Sequence, residues 1–164
     1  MLRWMAPFLS FTAEEAWKIV SPTQSASIFT ETFSPVDAWS DAELLAKWSR
    51  IREIRDVVNK DIEALRAEGL VGSSLQAEIT LAVNAADHAL LASLGDDLRF
   101  VTITSKALLA QADALAVTVT PSAAQKCERC WHYRSDVGHD PAHPTICSRC
   151  TANLFGVGEA RKVA

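Results

Sequence analysis

Apolar and polar positions alternate most regularly between residues 41 and 68. Leu44, Trp48, Ile51, Ile54, Val58, Ile62 and Leu65 recur at steps of three and four, the period of one helical face. Ser40 followed by Glu43 is a capping-box pattern, and Gly69 stands where a helix ends on a left-handed residue. The spacing predicts a helix from about Asp41 to Glu68. Arg52, Arg55, Asn59 and Arg66 fall along one border of its apolar face. Such a border is ordinarily a solvated flank whose arginine stems cover apolar surface.

Upstream, RWMAPFLSFTAEEAWKIV reads as helix interrupted at Pro7. Thr12 with Glu15 forms a second capping-box pattern, and Phe11 sits at the hydrophobic-staple position. Residues 21–39 are rich in Ser, Thr and Pro and read as a connection. Beyond Val71 the period changes to two. Ile79, Leu81 and Val83 alternate with Glu78, Thr80 and Ala82, the pattern of a half-buried strand. AADHALLASLG reads as a short helix ending at Gly95. LRFVTITS and LAVTVT read as two further strands rich in β-branched residues. The expected class is α+β: a helical region at 1–70, a small β-α-β-β unit at 71–121, and a cysteine module at 122–164. The middle unit has a modest core and is expected to pack on the helices.

Composition is that of a soluble globular chain, with 49% apolar and 22% charged residues. No apolar run approaches a membrane span. The N-terminal stretch lacks a basic start and a small-residue cleavage site, so no secretory signal is expected and the expected compartment is the cytoplasm. The net charge of −4 argues against a generally sticky nucleic-acid binder. The distribution is uneven. Residues 126–164 carry Lys126, Arg129, Arg134, Arg149, Arg161 and Lys162 against four acidic residues, which makes the tail net basic and the rest acidic.

All four cysteines lie in CERCWHYRSDVGHDPAHPTICSRC, as Cys127-x2-Cys130 and Cys147-x2-Cys150 with 16 residues between the pairs. Two such knuckles can bring four thiolates into a tetrahedron, which suits zinc, and the gap fits the spacing of such sites. Disulfides would need an oxidising compartment, and redox CxxC motifs come singly. A closed four-sulfur shell has no position for water or substrate, so the predicted zinc is structural. Around it lie Arg129, Trp131, Tyr133, Arg134 and Arg149. Aromatic rings and guanidinium groups of this kind suit unpaired bases and phosphates. Trp131 has two readings, a base-stacking surface or a cover over the thiolates.

The segments Lys126–Tyr133, Asp136-Val137-Gly138 and Ile146–Cys150 resemble the C-terminal zinc module of bacterial isoleucyl-tRNA synthetases. The closing GEARKVA looks like that family's last residues. RWMAPFLSFTAEEAW is similar to a helix of its anticodon-binding domain, and IREIRDVVNKDIEALRAEGLVGSSLQAEITL resembles the last long helix and following strand. The resemblance implies part of the anticodon-binding bundle, a junction domain and the zinc module of an isoleucine–tRNA ligase. Its implied partners are the anticodon arm of isoleucine tRNA and the remainder of the synthetase chain, with no membrane and no DNA. It implies Arg52, Arg55 and Arg66 as stem-backbone contacts, and Trp131 with Arg129, Arg134 and Arg149 as readers of the loop. ATP and Mg2+ belong to the parent enzyme's catalytic domain. No HIGH-like or KMSKS-like stretch occurs here, so no catalytic residue is expected and this portion alone should be inactive.

Two other functions compete. Formamidopyrimidine-DNA glycosylases carry a similar four-cysteine finger on DNA, but need a helix-two-turns-helix before it and an N-terminal catalytic proline. A zinc-stabilised protein-interaction module would fold without RNA affinity. Met1, Leu2, Trp4, Phe8 and Phe11 are expected to expose apolar surface.

Overall fold

The computed structural model of the chain describes residues 1–23, 26–33, 35–36 and 40–159. They divide into two units, Met1–Ala42 and Glu43–Ala164. In the first, helix α1 (Leu2–Met5) and helix α2 (Ser10–Val20) are followed by a single helical turn at Ile28–Thr30. Ala6, Ala13, Trp17 and Ile28 form its small core.

Helix α2 starts two residues before the capping box that was expected to open it, and no side chain caps it. The helix is interrupted at Pro7 as expected: α1 ends at Met5 and Leu9, at φ −122° and ψ 57°, lies outside helical geometry, while Leu9 N–H bonds the Met5 carbonyl and Ala13 N–H the Leu9 carbonyl, each at 2.8 Å. Thr12 lies inside α2. Glu14 reaches the Ile28 N–H at 2.9 Å and the Ser27 hydroxyl at 3.1 Å. The Ile28 amide holds the Glu14 carboxyl below the usual carboxylate range. Met1, Trp4, Phe8 and Phe11 are exposed, and Leu2 is half-buried. Residues 24, 25, 34 and 37–39 of the expected connection lie outside the described residues.

The long helix forms where its period predicts, as α3 (Ala42–Ala67). Ile51, Ile54, Val58 and Ile62 are buried, Trp48 packs at their edge, and Leu44 is exposed. The helix ends in a Schellman motif: Leu70 N–H donates to Leu65 O and Gly69 N–H to Arg66 O, both at 3.0 Å. Gly69 supplies the left-handed turn with φ +74°.

Strand β1 (Ala77–Val83) lies in the middle of a three-stranded sheet, between β2 (Lys106–Gln111) and β3 (Ala116–Pro121). It runs parallel to β2 and antiparallel to β3, with Leu81 opposite Leu109 and Val117. The alternation predicted for β1 is observed: Ala77, Ile79, Leu81 and Val83 are buried and share one core with the stripe of α3. Against the expectation of one helical region at 1–70, the two compact units meet at Ala42 and Glu43. A helix with four residues in the sheet's core belongs energetically to the sheet.

Helix α4 (Ala85–Ala92) follows β1, capped by Asn84, whose side chain accepts the Asp87 N–H. The order β-α-β-β is as expected, but the second strand is not LRFVTITS. Leu98–Val101 is a helical turn, α5, and the strand begins only at Lys106. Leu91, Leu94 and Leu98 continue a helical period across Gly95 and all enter the core. Their burial outweighs the strand preference of the β-branched residues around them. The buried hydroxyl of Thr102 bonds the Leu98 carbonyl at 3.0 Å and lies 2.8 Å from that of Thr104. The chain then reverses through Ile103 at φ +54°.

The cysteine module contains β4 (Gln125–Lys126) paired antiparallel with β5 (Tyr133–Arg134), and helix α6 (Ser148–Phe155). Among the described residues no helix is long and apolar enough to cross a membrane. Most of the GEARKVA segment, residues 160–164, lies outside the described residues.

Candidate metal centre and nucleic-acid interface

The first knuckle is the loop of the β4–β5 ribbon. Cys127 N–H donates to His132 O and Trp131 N–H to Cys127 O, both at 2.9 Å. The second knuckle opens helix α6, with Cys147 at its N-cap and Cys150 in its first turn. Four sulfur atoms result, all within 4.8 Å of one another. Cys127 and Cys150 are 3.7 Å apart, and Cys130 and Cys147 3.8 Å. A tetrahedral zinc with bonds of about 2.3 Å requires sulfur–sulfur distances near ~3.8 Å, so the donor set fits a zinc ion. Cys127, Cys147 and Cys150 are buried and Cys130 is half-buried.

The environment favours thiolates unequally. Burial raises the Cys127 pKa, but the amides of Cys130, Cys147 and Arg129 outweigh it and bring this thiol to about 6. Burial pushes Cys130 and Cys147 up. Four thiolates this close repel one another, and a divalent cation is what lets all four ionise. The N-terminal end of α6 and the Arg129 guanidinium, 3.6 Å from the Cys150 sulfur, add positive potential. The zinc is structural: a closed set of four thiolates leaves no coordination position for substrate.

Around the metal site the predicted surface residues separate. Trp131 is 60% exposed, and the Lys126 ammonium lies 5.6 Å from its ring centroid. Its backbone has φ +65°, uncommon for a residue other than glycine. Arg129 is exposed. Arg134 pairs with Asp136 at 3.2 Å. Asp136 also accepts the Ser148 N–H at the start of α6. Burial raises the Asp136 carboxyl, but Arg134 and these hydrogen bonds hold it below the usual range. Arg149 donates twice to Glu159, at 2.5 and 2.7 Å, and its side chain is largely covered. On α3, Arg52 folds back on Trp48 O and Ser49, while Arg66 pairs with Glu63. Arg55 is half-buried, its Nε without a hydrogen-bond partner and its guanidinium in no ion pair among the described residues.

Residues 1–81 match the family model for the anticodon-binding domain of tRNA ligases, and residues 124–153 match that for the zinc finger found in FPG and IleRS. The whole chain aligns at 57% identity over 171 residues with the isoleucine–tRNA ligase of Ralstonia pickettii (strain 12J). The corresponding ligase of Cupriavidus taiwanensis is 55% identical over 170 residues, again covering all of this chain. That of Bordetella pertussis (strain Tohama I) is 53% identical over 171 residues, covering 98% of it. The chain is homologous to isoleucine–tRNA ligases from end to end. It spans 18% of the length of these relatives. The anticodon-binding match over residues 1–81 argues against the glycosylase alternative, which needs other domains before its finger.

Within this ligase homologue, several residues that shape the site gave little sequence signal. Phe100, His132 and Ser105 meet where the sheet joins the module. His132, 8% exposed, sets its ring edge-on to Phe100 at 5.3 Å. Burial first, then the guanidinium charges of Arg99, Arg149 and Arg134, depress its pKa. No periodicity or spacing links positions 100, 105 and 132; only the tertiary fold brings them together.

Proposed function

We propose that this chain is the anticodon-arm-binding portion of an isoleucine–tRNA ligase. It holds isoleucine tRNA while ATP-dependent aminoacylation proceeds elsewhere in the protein, in the cytoplasm. The observation that carries this reading is the end-to-end homology to isoleucine–tRNA ligases, with an anticodon-binding match over residues 1–81. The chain itself contributes no catalytic residue. Its remaining partner is the rest of the synthetase, and neither membrane nor DNA enters.

In this reading Trp131 stacks on an unpaired base, with Arg129 beside it at a phosphate. Arg55, Arg52 and Arg66 follow the stem backbone, where contacts set position rather than identity. Arg134 and Arg149 serve the fold first, since each would have to share its carboxylate partner with RNA. Zinc orders the knuckle that presents Trp131.

Titration of the chain, zinc-loaded and chelator-stripped, with isoleucine tRNA and a non-cognate tRNA at fixed salt tests this. Preferential binding of the cognate tRNA, lost on stripping, is the expected result. Equal or absent binding in both states would leave the chain a structural element and sink the reading. The protein-interaction alternative predicts that second result.

A further inference from the structure

The knuckle that carries Trp131 is fixed on two sides. Cys130 ties it to the metal site. The two residues after Trp131 tie it to the β-α-β-β unit. The Tyr133 N–H donates to the Ser105 hydroxyl at 2.6 Å, and that hydroxyl donates onward to the Leu75 carbonyl. Ser105 is 2% exposed, and its own N–H bonds Ala77 O at 2.9 Å at the start of β1. One buried hydroxyl thus joins the turn before the central strand to the backbone of the knuckle.

Phe100 makes the second tie. The Arg99 guanidinium lies 4.4 Å from its ring centroid and that of Arg149, from α6, lies 4.8 Å from it. His132 meets the same ring edge-on. Arg99 is buried and held by Asp96 at 2.8 Å, and Arg149 is held by Glu159. Both cations are therefore pinned before they meet the ring. The turn that delivers Phe100 and Ser105 to the module is the one reversed by Ile103 in left-handed geometry. Ile103 is 46% exposed, and a β-branched residue in this geometry persists where the surroundings over-determine the backbone.

We propose that Ser105 and Phe100 are positioning residues for Trp131: the sheet, and not zinc alone, sets the direction in which the knuckle presents its tryptophan. Zinc holds the four sulfurs together, and Ser122, bonded to the Gln76 carbonyl at 2.7 Å and to Glu78 at 2.6 Å, anchors the module's entry, but neither removes the knuckle's freedom to swing relative to the sheet. The Ser105–Tyr133 bond and the Phe100 contact remove that freedom. The inference rests on the reading of Trp131 as an RNA contact for its functional consequence, but its geometric content stands separately.

The test uses the zinc-loaded chain with fluorine-labelled tryptophan, the Trp131 signal assigned by Trp131→Phe. Ser105→Ala is expected to retain its zinc yet shift or broaden the Trp131 resonance. One stacked base contributes up to about a hundredfold in affinity, so a misdirected Trp131 predicts about tenfold weaker isoleucine tRNA binding. Phe100→Leu should do the same, while Phe100→Tyr, which keeps the ring, should stay near the unmodified chain. Should Ser105→Ala shed zinc, the Phe100 pair decides the question by the same readouts. An unchanged Trp131 resonance in zinc-loaded Ser105→Ala, or in Phe100→Leu where the serine variant has lost its metal, would overturn the proposal. If the unmodified chain binds no tRNA, the reading of function fails while the resonance still decides the positioning.

Discussion

The carboxylate of Asp87 receives both Nε and Nη2 of Arg50, at 2.9 and 2.8 Å, bridging α4 and α3 across 37 positions of sequence. Asp87 is buried and also accepts the Asn84 side-chain amide at 3.1 Å. The Arg50 hydrogen bonds hold its carboxyl below the usual carboxylate range, against the opposing effect of burial. A carboxyl depressed by folding stabilises above its unfolded value, near ~3.9, and loses that contribution as pH falls through its folded value. Asp87→Asn, which keeps the shape, is expected to cost about 2 kcal/mol at neutral pH. The difference from the unmodified chain should narrow in acid as the unmodified carboxyl protonates. Urea unfolding of both chains at pH 7 and in acid measures this. A gap that did not change with pH would mean that packing, not charge, sets the effect.

Metal removal should separate the module from the remainder of its unit. The four sulfurs and the core of α3 and the sheet form distinct clusters. A short loop-rich module has little apolar core, so its folding free energy comes largely from the metal. Cys147→Ser or a strong chelator is expected to unprotect backbone amides around residues 125–155 while those of Ile54, Val58, Ile79 and Leu81 stay protected. Hydrogen exchange followed by mass spectrometry reads both regions at once. Loss of protection in α3 would show that the sheet depends on the module for its stability.

Gly138 is the glycine whose replacement should damage the metal site most. It adopts φ +75°, and a Cβ added there would lie 2.8 Å from the Pro144 carbonyl oxygen. Its N–H bonds Ile146 O at 3.2 Å, beside the Val137–Cys147 bridge. Left-handed geometry costs a residue with a side chain about 1–2 kcal/mol, and the clash with backbone adds to it. Gly138→Ala should therefore weaken zinc binding by at least about tenfold, measured by competition with a chromophoric chelator. By contrast Gly95→Ala meets no atom within 4 Å and suffers the backbone strain alone.

The parts of this structure that were legible in the sequence are those with a repeating local signal. The α3 stripe, the alternation of β1, Gly69 and the paired cysteines each carry a period or spacing that survives folding. LRFVTITS has the β-branched composition of a strand, but Leu91, Leu94 and Leu98 commit its start to a helical face. The capping-box pattern at Thr12 opens nothing, because α2 already starts at Ser10 and Thr12 lies inside it. Ser105, Phe100 and His132 could not be found in this way, since their roles exist only where the turn at 100–105 meets the cysteine knuckle. Arg149 shows the remaining limit: its charge suggested a phosphate contact, but sequence alone does not disclose that Glu159 lies within hydrogen-bond reach.

Trp131 offers a case in which stability and binding should move apart. Its φ of +65° costs about 1–2 kcal/mol, a cost glycine would not bear. The exposed ring gives back little: a cation–π contact with Lys126, worth about 0.5–1 kcal/mol at such a site. Trp131→Gly is therefore expected to leave the zinc-loaded module within about 1 kcal/mol of its original stability. If Trp131 stacks on a base, the same change should remove about 1–3 kcal/mol of tRNA affinity. Thermal unfolding and tRNA titration on one preparation give the two values together. A loss of zinc affinity or a large drop in stability would mean that the ring covers the thiolates after all. Unchanged stability with unchanged affinity would take Trp131 out of the interface and leave its strained backbone to be explained by the knuckle alone.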